Sequence, residues 1–472
     1  MRTSTQALLL FLGATLLLRF FSFFPSVIDH DESTYIVIAD ALLQGYTYQV
    51  DYIDTKPIGI FIIIAFVQAV LGNAVFMIRM VGALALGFTS FFLYKAMRQE
   101  KSSHWAGLAA GIIYLLMNSI FTRTGISPNT ETYFNLFTAI GLWLYLQKGP
   151  LWKYFLAGLS LGIGFVIKYV VLFDGIAFGL FLLWQAYKGK IAWIRAWQRA
   201  LIMAVAASIP FIGLLVYYQQ LGYLDELWFH TFTVGGRYPS KEGIMHYISF
   251  PLEFAGRFSP IIFLAVFVYL KKVMSSEKQQ FVSLWMVSVL IVILLMGNHF
   301  SHYFIQMMLP LSYVAGSFFD IPASSLPSWL RWTRKPKIGY SLLALLIVVN
   351  IFFQKKDYWD APDYPKQMAT YGQERLEPGE YIYTAEDQII YHLIGQLPLI
   401  KYVHPSLFWR EKHIKAMEIP LEAEIRKVTA ANPRFLIFRQ PVKDDRFENY
   451  IEQYYEEVYR IEGHSIIYER ME

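Results

Sequence analysis

Lys56-Pro57-Ile58-Gly59-Ile60-Phe61-Ile62-Ile63-Ile64-Ala65-Phe66-Val67-Gln68-Ala69-Val70-Leu71 decides how this chain is threaded. A membrane span needs roughly 20 apolar residues. The apolar run here holds fifteen, from Pro57 to Leu71, and Gly72-Asn73 ends it. Whether it crosses sets the side on which every later loop falls. Eleven other runs have the composition of spans: 7–26, 74–97, 105–121, 132–146, 152–167, 170–187, 200–219, 259–270, 281–297, 303–319 and 338–353. Basic residues gather at Lys95/Arg98/Lys101, Lys148/Lys153, Lys188/Lys190/Arg195/Arg199, Lys271/Lys272/Lys278 and Arg331/Arg334/Lys335/Lys337. Cytoplasmic loops are enriched in Lys and Arg. The clusters occupy every second loop only if 57–71 does not cross. That run is therefore expected as a helix lying at the outer interface or dipping into it, with eleven spans, the N-terminus inside and the C-terminus outside.

Composition agrees with a membrane protein. Of 472 residues, 56% are hydrophobic, 17% aromatic and only 16% charged, with a mean hydropathy of +0.38. Soluble domains carry about 25% charged residues. The net charge of +5 resides in short loops between apolar runs, so it is no signal for nucleic acid. Cysteine is absent, which excludes a disulfide framework, a thiolate zinc site and a cysteine nucleophile. The opening Met1-Arg2 and residues 7–18 resemble a signal peptide. No small-x-small cleavage site follows, however, and the apolar run continues through Phe20, Phe21, Phe23 and Phe24, so a retained first span is expected.

The same parity places 28–73, 122–131, 221–258 and 298–302 outside, and these segments hold most of the acids and histidines outside the C-terminal part. The first is the densest: Asp29-His30-Asp31-Glu32-Ser33-Thr34-Tyr35, then Asp40, Asp51, Asp54 and Lys56-Pro57. Asp29 or Asp31 can cap a helix, and Tyr35, Ile38, Ala39, Leu42 and Leu43 then share a face before Gly45 stops it. Such an amphipathic helix suits a membrane surface. Capping and solvation explain one or two acids, not six beside a lysine. Lys56 at the mouth of a helix opened by Pro57 combines a cation with the positive end of the helix dipole, a natural phosphate clamp. The bland alternative is a snorkelling lysine. Glu131 opens a span, either as a first-turn acid or as a site residue. Arg19, Arg79 and Lys168 lie within or beside apolar runs toward the outer side, giving a positive floor or, taken singly, snorkelling. His230, Arg237, His246, His299 and His302 are further outer residues. None has metal-ligand spacing, so no metal site is assigned, although a divalent metal stays open as a cofactor.

From Gln354 the character changes. A polar linker leads to strand-like runs at 381–384, 400–403, 435–438 and 465–468, with helix candidates at 385–394, 420–430 and 446–455. The expected division is a membrane domain, 1–353, and a small extracytoplasmic α/β domain, 354–472.

Together these residues resemble the polytopic glycosyltransferases that take sugar from a polyprenyl-phosphate donor, the GT-C-fold superfamily of protein O-mannosyltransferases and lipid A aminoarabinose transferases. The resemblance rests on Asp31-Glu32 with Tyr35 after the first span, Lys56-Pro57 before a short apolar helix, Arg79 on the next span, Glu131 heading the fourth, a Gly-rich helix from Gly158 to Lys168, and His302-Tyr303 followed by Pro310. It implies a mostly α polytopic helix bundle with juxtamembrane helices in the first outer loop. It also implies an inverting transfer of sugar from a polyprenyl-phosphate donor to the hydroxyl of a lipid, glycan or protein acceptor, at the outer face of the cytoplasmic membrane. Asp31 is expected as general base with Glu32 as second candidate. Lys56, Arg79, Arg237 and His302 are expected at the donor phosphate, with Tyr35, Asp54, Glu131 and Lys168 around them. Two departures stand out. The aminoarabinose transferases place a metal-binding Glu before the Lys-Pro, where this chain has Thr55, with Asp54 one residue back. The β-trefoil of eukaryotic O-mannosyltransferases has no counterpart. A transporter or flippase of a lipid-linked or anionic solute is the alternative; it leaves the outer acids unexplained and predicts internal repeats that are not seen.

Overall fold

Within lipid a backbone must satisfy its own hydrogen bonds, so the apolar runs become helices. The computed structural model of the protein describes residues 2–119, 125–237, 243–296, 300–439 and 442–472. His299 and the start of the 122–131 loop lie outside the described residues. In chain order the helices are α1 (Arg2–Leu18), α2 (His30–Leu43), α3 (Gly59–Leu71), α4 (Val75–Gln99), α5 (His104–Ser119), α6 (Thr130–Leu146), α7 (Leu151–Ile167), α8 (Leu172–Tyr187), α9 (Trp193–Leu221), α10 (Leu224–Trp228), α11 (Val234–Arg237), α12 (Ile244–Arg257), α13 (Ser259–Leu270), α14 (Ser276–Leu295), α15 (Ile305–Gly316) and α16 (Pro336–Gln354). All eleven expected spans are largely helical over their described residues. Many are short for a span: α13 and α15 have 12 residues each, and α6 and α7 have 17. Among the described residues, five helical stretches are long and apolar enough to cross a membrane, and a sixth if the pair bent by 91° at Phe258 counts as one span. The chain is a multi-pass membrane protein.

Contacts divide the chain into two units. The first comprises Met1–Phe23, Arg79–Tyr217 and Ser240–Asp357. Within it α6 packs along α7, α15 along α5, and α14 along α8. Every residue of α15 is buried. Small residues let backbones approach: a Cβ on Gly158 or Gly162 of α7 would collide with the carbonyl oxygens of Met203 or Ala207 on α9. The outward side of α9 exposes Leu201, Val205, Ile209, Ile212 and Val216, a stripe that only lipid suits.

The second unit comprises Phe24–Ile78, Tyr218–Pro239 and Tyr358–Glu472. It adds α17 (Tyr364–Gln373), β1 (Ile382–Thr384), α18 (Ile389–Ile394), α19 (Pro405–Trp409), α20 (Glu411–Ala416), α21 (Leu421–Ala431), β2 (Phe435–Arg439), α22 (Asp445–Tyr454), β3 (Tyr455–Ile461) and β4 (Ser465–Arg470). The sheet order is β1-β2-β4-β3, with β1 parallel to β2 and the other pairs antiparallel. Tyr383, Leu436 and Phe438 from the strands meet Val428 of α21 and Phe447 of α22 in its core.

Three expectations change here. The 400–403 run is no sheet strand. It makes one isolated bridge, Tyr402 to Ile53, because Ile53 donates its N–H to the Lys401 carbonyl (2.7 Å) and Pro405 then opens α19. The strand after α22 had no clean alternation to mark it. And α2 does not lie on a surface: Ile36, Val37, Ile38 and Ala39 are fully buried, and the helix packs on α3 and α18. It is α3 that exposes an apolar face, through Ile62, Phe66, Val70 and Leu71. The segment 221–258, expected outside, is mostly helical where described.

His392 of α18 fastens this packing. Its Nδ1 lies 2.7 Å from Asp40 Oδ2 on α2 and its Nε2 lies 2.8 Å from the Asn73 carbonyl. Both partners are acceptors, so the ring is held with two protons. Burial is the largest single influence and works against that charge, but the Asp40 hydrogen bond, the Asp40 charge and the Asn73 carbonyl together outweigh it and raise the pKa above 6.5. A raised folded-state pKa means the contact stabilises fully below pH about 6.5 and fades as pH rises through the folded value. The protection factors of the α18 amides, with the intrinsic pH dependence of exchange divided out, will therefore rise from pH 8 to pH 6, and His392→Ala will abolish that rise. Separately, Gly162→Leu will force α7 off α9 and lower stability by about 3 kcal/mol or more, read as a fall in Tm.

Candidate active site

Asp29 accepts the Glu32 N–H at 2.8 Å and so starts α2. Glu32 turns back in return, its Oε2 accepting the Ile28 N–H at 3.0 Å. The two bonds resemble a capping box shifted by one residue, since Glu32 reaches Ile28 rather than the N-cap Asp29, and they occupy one oxygen of the buried Glu32 carboxylate in local structure. Asp31, one residue earlier, points elsewhere. Its Oδ1 lies 2.5 Å from Lys56 Nζ and 3.2 Å from His404 Nε2. Lys56 also stands 3.4 Å from Asp54 Oδ2 and 5.6 Å from the centre of the Tyr35 ring. Asp54 is 1% exposed, and neither of its side-chain oxygens makes a hydrogen bond. A buried carboxylate with only a lysine beside it retains capacity for a further donor. The Tyr48 hydroxyl, set between the Asp54 and Lys56 carbonyls, fixes the loop that presents both residues.

His404 was not legible as a site residue, since 373 positions separate it from Asp31 and no local pattern marks it. Its tautomer follows from its neighbours. Nδ1 accepts the backbone N–H of Ser406 at 3.1 Å, so in the neutral ring it is Nε2, 3.2 Å from Asp31 Oδ1, that carries the hydrogen. His30 lies beside it, ring centres 6.5 Å apart. Burial, then Arg439 and His404, lower the His30 pKa to about 4, so it is neutral at physiological pH.

The other expected residues are held differently. Arg237, 42% exposed at its side chain, pairs with Glu418 at 2.5 Å. Arg79 is buried and donates to the Ser22 carbonyl at 2.9 Å. Arg19 donates to the carbonyls of Asn118 (3.2 Å), Gly125 (2.5 Å) and Ile126 (2.9 Å), so it braces a loop rather than flooring a cavity. His302 stacks on Phe300, ring centres 5.6 Å apart.

Glu131 and Lys168 form a buried ion pair in the first unit. Thr130 donates to the second carboxylate oxygen at 2.9 Å, and Lys168 Nζ stands 4.5 Å from the centre of the Tyr303 ring. Gln306 lines the same small cavity and donates to Asp174 Oδ2 at 2.6 Å, while the Trp285 indole donates to Asp174 Oδ1 at 2.5 Å. Asp174, Gln306 and Trp285 looked like span residues in the sequence. Among the described residues, no group of three His, Cys, Asp or Glu could hold a metal ion.

Breaking a buried pair leaves a bare charge and costs about 3–5 kcal/mol. Glu131→Gln will lower the unfolding free energy by that amount, and adding Lys168→Met will recover most of it in thermal unfolding.

Comparison with known proteins places this architecture. Residues 55–213 match a family described as dolichyl-phosphate-mannose-protein mannosyltransferase. Two curated relatives from Pseudomonas fluorescens are undecaprenyl phosphate-alpha-4-amino-4-deoxy-L-arabinose arabinosyl transferases. One is 26% identical over 39% of this chain and 33% of its own length; the other is 22% identical over 63% of this chain and 53% of its own. The matches thus span a third to about half of those relatives. Among solved structures, ArnT from Cupriavidus metallidurans in the apo state superposes with a TM-score of 0.67 at 12% identity, covering 98% of both chains. The same protein bound to undecaprenyl phosphate gives 0.65 at 12% identity, covering 98% of this chain and 97% of that one. The archaeal oligosaccharyltransferase AglB from Archaeoglobus fulgidus gives 0.56 at 10% identity, covering 99% of this chain and 74% of that one. The resemblance read from the sequence is borne out: the chain has the GT-C fold of the polytopic membrane glycosyltransferases.

Proposed function

We propose that this protein is an inverting glycosyltransferase that moves a hexose or pentose from a polyprenyl phosphate to the hydroxyl of a lipid, glycan or protein acceptor. The observation that carries the reading is Asp31 at the start of α2, held by Lys56 on one side and His404 on the other. The acceptor oxygen attacks the anomeric carbon, the carbon–oxygen bond to phosphate breaks, and the polyprenyl phosphate leaves with the electron pair. Asp31 takes the acceptor's proton as general base. A single displacement inverts the anomeric centre.

Lys56 is the donor-phosphate ligand in this reading. A lysine placed at the head of α3 can exchange Asp31 for a phosphate oxygen and offset the charge of the leaving group. That exchange frees Asp31 for the acceptor. Asp54, with unfilled hydrogen-bond capacity, holds Lys56 in place or takes a second acceptor hydroxyl. His404 keeps the Asp31 carboxylate turned toward the reacting oxygen. Arg79, Arg237 and His302 reach the phosphate in this scheme only by exchanging the partners described above, so Lys56 is the primary ligand. Glu32 serves the helix start, and Glu131 and Lys168 serve the buried framework. With no group of three metal ligands among the described residues, no step is routed through a metal. The basic clusters orient the chain with the N-terminus in the cytoplasm and the sheet domain outside, in the cytoplasmic membrane.

In a transfer assay with purified protein and a polyprenyl-phosphate sugar, Asp31→Asn will reduce kcat by about 10²–10⁴-fold with expression unchanged. Full activity in that variant sinks the assignment. His404→Gln, whose amide can still donate from the Nε2 position, will retain more activity than His404→Ala, and only the latter will shift the pH profile.

A further inference from the structure

The first unit carries a second cavity that the proposed reaction does not use. It is lined by residues of α6, α7, α8, α9 and α14 and of the turn joining α8 to α9, and has a volume of about 340 Å³. Its charged lining consists of Lys148, Lys190, Arg199 and Lys278 against Glu100 and Glu277, a surplus of two positive charges. The carboxylates are already engaged. Lys148 Nζ lies 3.4 Å from Glu277 and 3.8 Å from Glu100, and Lys278 Nζ lies 3.8 Å from Glu100. Gln185 donates to Glu277 at 2.5 Å. Among the described residues, no carboxylate lies within ion-pair distance of Lys190 or Arg199. The Arg199 guanidinium stands 5.0 Å from the centre of the Tyr154 ring, which steadies it without neutralising it.

A groove of about 750 Å³ adjoins this cavity, the two sharing Phe181 in their linings. Its walls are mostly apolar and aromatic, with Leu180, Trp184, Trp193 and Leu284 prominent, and α14 adds Ser276, Gln279, Gln280 and Ser283. Both volumes fall in the range of ligand pockets. Tryptophan and tyrosine at the end of a span mark headgroup depth. Two uncompensated cations at that depth, beside a greasy channel, match a molecule with an anionic phosphodiester and long acyl chains.

We propose that the cavity and its groove bind one anionic glycerophospholipid, with the phosphodiester on Lys190 and Arg199 and an acyl chain along the groove. The site is independent of Asp31 and goes beyond the transfer reaction. It would tie α8, α9 and α14 together at the end of the bundle where the basic loops gather.

The test titrates purified full-length protein in detergent with phosphatidylglycerol and with phosphatidylcholine, followed by native mass spectrometry and by Tm. Phosphatidylglycerol is expected to be retained and to raise Tm, and phosphatidylcholine is not. Lys190→Gln/Arg199→Gln should weaken phosphatidylglycerol binding about thirtyfold, two cations at about 1 kcal/mol each. Lys153→Gln/Arg195→Gln, which removes equal charge outside the cavity, should leave binding unchanged. Equal retention of the two lipids overturns the proposal. So does equal loss in the two double variants, which would indicate general charge attraction. Displacement of the lipid by millimolar inorganic phosphate also overturns it, since the groove would then contribute nothing.

Discussion

Lys168 and Glu131 meet in the buried interior of the helical unit, which is arranged around contacts of that kind. A charge in an apolar medium is tolerated only when protein groups answer it. Lys168 ends α7 and Glu131 opens α6, so their pairing sets how those two helices lie along each other. Arg19 is answered by three backbone carbonyls, and Arg79 donates to another. Asp174 receives an indole and an amide N–H from α14 and α15. These polar contacts fix register and direction in a bundle whose remaining surfaces are interchangeable aliphatic and aromatic groups. The stripe of small residues on α7 adds close approach, but it does not choose a partner by itself.

The second unit uses charge differently. Its acids sit at the start and along one side of α2, and they divide by task. Asp29 and Glu32 close the helix N-terminus, and Asp40 anchors a protonated His392. Asp31 and Asp54 have no role in the helix framework and share Lys56. A carboxylate that folding does not need is the one available to a substrate. The contrast between Glu32 and Asp31, adjacent in sequence and opposite in use, comes from helix geometry: Glu32 is placed to turn back onto the chain entering the helix, and Asp31, about 100° round the helix from it, is turned away.

The burial of α2 follows from the same economy. An amphipathic helix with apolar residues on one face is ordinarily a surface helix. Here the C-terminal part supplies α18, and α3 covers another side, so the helix is enclosed. The exposed apolar face passes to α3, whose polar Gln68 turns inward to Asp40 and which sheds Ile62, Phe66, Val70 and Leu71 outward. The isolated pairing of Ile53 with Tyr402 belongs with this enclosure, since a segment expected to complete the sheet instead ties the loop between α2 and α3 to the C-terminal part.

The sequence by itself determined the membrane character, the eleven helices, the short helix after Lys56-Pro57 and the presence of a small α/β part near the C-terminus. Those features depend on apolar run length, on Gly and Pro at fixed positions and on period, all local in the chain. It also singled out Asp31, Asp54 and Lys56, because charge crowded into an apolar sequence is conspicuous. Only the tertiary structure decided the partners. His404 reaches Asp31 across 373 residues, Lys168 reaches Glu131 across 37, and His392 reaches Asp40 across 352. Burial of α2, loss of the 400–403 strand and capture of Arg19, Arg79 and Arg237 were equally non-local. A side chain's chemistry is written at its own position, but its proton, its charge state and its freedom to act are set by neighbours that folding alone brings within about 3 Å.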